Sequence, residues 1–72
     1  MMEYVVVTYP NKRKVLVDGK DAGYTNDTLR VETGHHIFAL EGLQDYLPLT
    51  VEKVVEDTTP EKPMVIDNFQ PV

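Results

Sequence analysis

The 72 residues contain no serine and no cysteine. The two commonest nucleophiles are therefore missing, and neither a Ser-His-Asp nor a Cys-His arrangement can be assembled. Without thiols there is no disulfide and no thiolate metal site. Histidine occurs only as the adjacent pair His35 and His36. Neighbouring residues on a strand project to opposite faces, so a regular strand cannot aim both rings at one ion. The expectation is one exposed histidine, one half-buried histidine bonded to backbone, and no metal site. Acidic pairs such as Asp18 with Asp21, or Glu56 with Asp57, have the composition of a general acid and base. Carboxylate catalysis needs a pocket that shifts the titration of its groups, which a domain of this size has little room for. The alternating acids and closing glutamate of a calcium loop are absent. These acids read as solvated turn residues. Gly19 and Gly23 lack the further glycine and the helix of a phosphate-binding loop. The expectation is a chain with no catalytic residue, no bound metal and no cofactor.

Binding is the chemistry that remains. The aromatics are Tyr4, Tyr9, Tyr24, Tyr46, Phe38 and Phe69. Tyr4, Phe38 and Phe69 fall at strand positions that suit a core. Tyr24, beside Thr25, is the first candidate for an exposed anchor, and Tyr9 is the second. Val5, Val7 and Leu47 are candidates for an exposed sheet edge. The net charge of −5 and a pI near 4.7 set the chain against phosphate backbones and anionic lipid. The one basic cluster, Lys12-Arg13-Lys14, reads as a charged, solvated hairpin tip. No stretch approaches the ~20 apolar residues of a membrane-spanning helix. The opening residues, Met1-Met2-Glu3-Tyr4, lack the basic and apolar regions of a signal peptide. As written, the expected location is the cytoplasm; a module excised from a longer chain would belong at the cell surface.

The elements that position these residues follow from a period of two. Residues 4–9 are rich in β-branched and aromatic types and stop at Pro10-Asn11. Residues 14–18 place Val15 and Val17 on one face and run into Asp18-Gly19, a strong tight-turn signal. A short segment at 20–22 ends at Gly23. Residues 28–32 alternate, with Leu29 and Val31 on one side. Thr33-Gly34 turns the chain into residues 35–41, with His36, Phe38 and Leu40 on one side. Residues 46–56 form the longest candidate strand. Pro48 there calls for an edge or a bulge, and the phase is ambiguous at Val54-Val55. Residues 64–69 form the last strand, and 70–72 a frayed tail. Short strands separated by turn signals every 8–12 residues point to an all-β fold, a small antiparallel β-sandwich of six or seven strands in one domain. The expected core is Val6, Val15, Val17, Leu29, Val31, Phe38, Leu40, Val51 and Ile66.

The order of these turns resembles the PEGA domain family. Val6-x-Thr8-x-Pro10, Val15-x-Val17-Asp18-Gly19, Gly23-x-Thr25, Thr33-Gly34-x-His36 and Tyr46 follow the family's pattern over nearly the whole chain. The spacing from Pro10 to Gly23-x-Thr25 matches without a gap. Lys12-Arg13 stands where the family has Gly-Ala, Asn26 stands for a proline, and Asp45 for a glycine. The resemblance implies a small β-sandwich module of bacterial or archaeal multidomain and surface proteins, with no catalytic residue to carry over. The matched residues are fold-defining positions.

Two uses follow as expectations. One is a non-catalytic module that binds a protein partner, or itself, through a sheet edge or face. The other is a carbohydrate- or cell-wall-binding module that uses Tyr9 and Tyr24. Neither nucleic acid nor membrane insertion is expected.

Overall fold

The computed structural model describes every residue, Met1–Val72. Nine strands and no helix make up the chain: β1 (Met2–Val7), β2 (Lys14–Val17), β3 (Lys20–Tyr24), β4 (Thr28–Glu32), β5 (Gly34–Leu40), β6 (Tyr46–Leu47), β7 (Val51–Val55), β8 (Met64–Ile66) and β9 (Gln70–Pro71). They form a three-stranded sheet, β4-β1-β8, a four-stranded sheet, β3-β2-β5-β7, and a two-stranded ribbon, β6-β9. The two larger sheets share one core of 14 residues, so the architecture is the expected small all-β sandwich. The strand count exceeds six or seven because the ribbon adds two very short strands. One pairing, β1 with β8, is parallel; the rest are antiparallel.

Local sequence explains much of this. Asp18 and Gly19 both have positive φ, 53° and 81°. That is the backbone of a two-residue hairpin turn whose twist suits the flanking strands, and Val17 pairs directly with Lys20 across it. Alternation puts Val15 and Val17, Leu29 and Val31, and Phe38 and Leu40 inside. Gly23 has φ 132°, and a Cβ there would lie 2.6 Å from Leu29 Cδ2, so a bare backbone lets β3 approach the core.

Four expectations are corrected. Val6 is not a core residue: β1 buries Val5 and Val7, and turns Val6 outward opposite Thr28 and Val65. Val5 and Val7 cannot form an exposed edge, because β1 lies between β4 and β8. The predicted long strand over 46–56 breaks into β6 and β7 at the cis Leu47-Pro48 bond and the bend that follows, and Leu47 and Leu49 are exposed. The chain end does not fray, since Gln70 and Pro71 pair with Leu47 and Tyr46.

Candidate interaction surface

The three residues singled out for binding lie apart and differ in character. Tyr9 is not an exposed anchor: only 7% of it is accessible. Its ring packs edge-on against Tyr46, 6.4 Å between centroids, and Tyr46 in turn meets Phe69 at 5.7 Å. Apolar area and edge-to-face geometry draw these rings inward. Tyr24 is exposed, but the Lys12 ammonium sits 4.6 Å over one face of its ring. Leu47 is exposed on the β6-β9 ribbon. An open depression of about 260 Å³ is lined by Thr8, Tyr9, Pro10, Asn26, Phe69 and Gln70. The Asn26 amide is already committed there, accepting from the Tyr9 amide and donating to the Tyr9 carbonyl.

The basic cluster is not a solvated tip. Arg13 donates to Asp45 at 2.7 Å and to the carbonyls of Glu41 and Leu43, with its guanidinium 5.2 Å over the Tyr46 ring. The planar five-donor fork can fill all these roles together, which a lysine cannot. Lys14 pairs with Asp21 at 2.9 Å. Spacing gave no hint of this, because the partners of Arg13 lie some thirty residues on, in the loop between β5 and β6.

Glu3, Asp18 and both histidines are tied into the structure. Glu3 is buried on the inner side of β1. Its carboxylate accepts from the Thr33 hydroxyl and from the Thr58 hydroxyl and amide, and these bonds hold its pKa below the ordinary value. It pins the β4-β5 turn and the β7-β8 loop to β1. Asp18 accepts from His36 Nδ1 at 2.6 Å and from the Ile37 amide at 3.0 Å, and both lower its pKa. It is an exposed turn residue, as expected, and its carboxylate is also tied to β5. His35 faces away and meets Glu52 at 2.8 Å, while His36 is half-buried and reaches the Glu32 carbonyl. Opposite faces separate the two rings, as the strand period requires.

What the surface offers a partner is backbone and apolar area. On the outer side of the four-stranded sheet lie Leu16, Ala39 and Ile37, and beyond them Val54. The His35–Glu52 pair crosses between Ile37 and Val54, and the Lys14–Asp21 pair lies on β2 and β3. The free edges of the two larger sheets are β4, β8, β3 and β7. Edges are normally blunted by shortness, bulges or inward charge. Edge β8 has only three residues, and β3 carries a register shift opposite Val15/Leu16. Edge β7 turns Lys53 to the inner side, across from His36. Edge β4 has none of these features: five residues, no proline, and the buried Leu29 and Val31 on its inner side.

The direction of the β4 backbone groups follows from one bond. The Thr33 amide donates to the Met1 carbonyl. Antiparallel strands alternate between bonded and non-bonded pairs, so Val31 and Leu29 face β1, while Thr28, Arg30 and Glu32 turn their amides and carbonyls outward. The Tyr4 amide fits this phase, since it points away from β4 to Thr58. Arg30 forms no ion pair. No protein family model, no functionally described protein and no solved structure matches this chain.

Proposed function

We propose that this chain is a non-catalytic interaction module that takes up an extended segment of a protein partner, or of a second copy, along β4. The observation that carries the reading is a five-residue edge strand that is neither short, bulged nor charged on its inner side, with the backbone groups of Thr28 and Arg30 facing outward and the Glu32 carbonyl met by His36. Strand addition uses such groups for affinity and alternate side chains for specificity. Arg30, free of an acidic partner on its own chain, favours an acidic residue on the incoming strand. The absence of serine and cysteine and the use of Glu3, Asp18 and His36 as structural ties support a non-catalytic role. The PEGA-like order of turns agrees with this use, because the matched positions build corners.

The test is selection of extended peptides from a display library, followed by amide resonance mapping and by light scattering of the free chain over a range of concentrations. Binding should perturb Thr28–Glu32 and disappear in Arg30→Pro, which removes one outward amide and no internal hydrogen bond. Thr28→Pro, at the first strand position, is the second blocking variant. Peptides or self-association that map to the outer face around Ile37, and survive both prolines, would transfer the function to that face.

A further inference from the structure

His36 lies where the chain crosses between sheets. Its Nδ1 is 2.6 Å from an Asp18 carboxylate oxygen and its Nε2 is 2.6 Å from the Glu32 carbonyl oxygen. A carbonyl oxygen can only accept, and an ionised carboxylate can only accept. Neutral imidazole carries one proton and can satisfy one of the two contacts; only the imidazolium satisfies both. We propose that His36 is held as the cation and works as a proton-dependent clasp, joining the β2-β3 turn to the outward end of β4.

The charges around the ring are Asp18 from the β2-β3 turn, the Glu32 side chain at the end of β4, Lys53 across from it on β7, and its neighbour His35 on β5. Lys53 opposes the cation, and Asp18 and Glu32 favour it. Direct contact with the Asp18 carboxylate decides the balance, since like charge at Lys53 lacks a bond to the ring. The His36 pKa is raised, chiefly by the hydrogen bond to Asp18 and then, against burial, by the bond to Glu32. When the proton leaves, one nitrogen presents a lone pair to an oxygen lone pair. The stronger, charge-assisted contact to Asp18 keeps the remaining proton, and the Glu32 carbonyl is released. This stands on the ring geometry alone; where the β4 reading also holds, it means that the last outward carbonyl of that edge is uncovered as pH rises.

The experiment is a pH titration of the intact chain, reading the imidazole nitrogens by long-range nitrogen–proton correlation and amide hydrogen exchange in parallel. At pH 7 both His36 nitrogens should carry protons. The midpoint should lie above that of histidine in an unfolded peptide, and the Glu32 carbonyl carbon should shift across it as its bond to the ring is lost, while the Asp18 and Ile37 amides, held by the retained Asp18 contact, stay protected. Asp18→Asn keeps an acceptor for the Ile37 amide but removes the charge, and should lower the midpoint. His36→Gln should abolish the alkaline step; if that variant does not fold, Asp18→Asn and the direct ring reading still decide. A His36 ring with a single proton at pH 7, or a midpoint unmoved in Asp18→Asn, would overturn the clasp. Loss of peptide binding to β4 without either result would count against the edge alone.

Discussion

The Tyr46 hydroxyl serves both backbone groups of Leu40: it donates to the carbonyl at 2.7 Å and accepts from the amide at 3.2 Å. Tyr46 is 1% accessible and Leu40 is buried, so water cannot replace either bond. Leaving a buried donor and acceptor unpaired costs about 1–3 kcal/mol per group. Tyr46→Phe keeps the ring contacts with Tyr9 and Phe69 and should lower stability by about 2 kcal/mol. Urea unfolding followed by circular dichroism measures this; an unchanged midpoint would remove the hydroxyl from the account.

Phe38 is wholly buried between the sheets and pairs with Val17 on one side and Val51 on the other. Truncation to alanine removes its burial and leaves a cavity, at about 3–5 kcal/mol. A core of this size supplies on the order of 3–5 kcal/mol in total. Phe38→Ala should therefore be largely unfolded at 25 °C, with its amide spectrum collapsed.

Arg13→Lys should destabilise although the charge is kept. One ammonium cannot reach Asp45 and the carbonyls of Glu41 and Leu43 together. The expected cost is about 2 kcal/mol, from charge-assisted bonds lost in the loop between β5 and β6. Hydrogen exchange should quicken first in residues 41–45.

Gly23→Ala combines two penalties. The residue has φ 132°, and the new Cβ would meet Leu29 Cδ2 at 2.6 Å. Together these should cost about 1–3 kcal/mol. Gly34→Ala, at the same φ of 132°, meets no neighbouring atom and carries the backbone penalty alone, so the difference between the two variants isolates the steric part.

Stability should decline at both ends of the pH scale. Glu3, Asp18, Asp21 and Asp45 all have lowered pKa values, from bonds to Thr33, His36, Lys14 and Arg13 respectively. A lowered folded pKa gives stability that is present above the unfolded value and lost as pH falls through the folded one. His36 has the opposite sign: its raised pKa gives stability that is full below the ordinary histidine value and lost as pH rises through the folded value. The urea midpoint should thus be highest between the carboxylate and histidine ranges. His36→Gln should flatten the alkaline side and remove the Asp18 share of the acid side, leaving the shares of Glu3, Asp21 and Asp45.

Much of the fold was legible because it is local. Alternation alone placed Val15, Val17, Leu29, Val31, Phe38 and Leu40 inside, since side chains must change sides at each step of a strand. Asp18-Gly19 announced its hairpin because few residue pairs accept two positive φ values. The absence of serine and cysteine likewise limits the chemistry at the level of sequence.

Tertiary structure decided what local rules leave degenerate. Val5, Val6 and Val7 are identical, so no alternation sets their phase. Pairing with β4 and β8 buried the odd-numbered two and turned Val6 out. Arg13, Tyr9 and the chain end are not legible locally for one reason: their partners at Asp45, Tyr46 and Leu47 lie far along the chain. The sequence prescribes which way each side chain leans, whereas which edge stays open and which charge is tied down depends on distant segments that only the closed sandwich brings together.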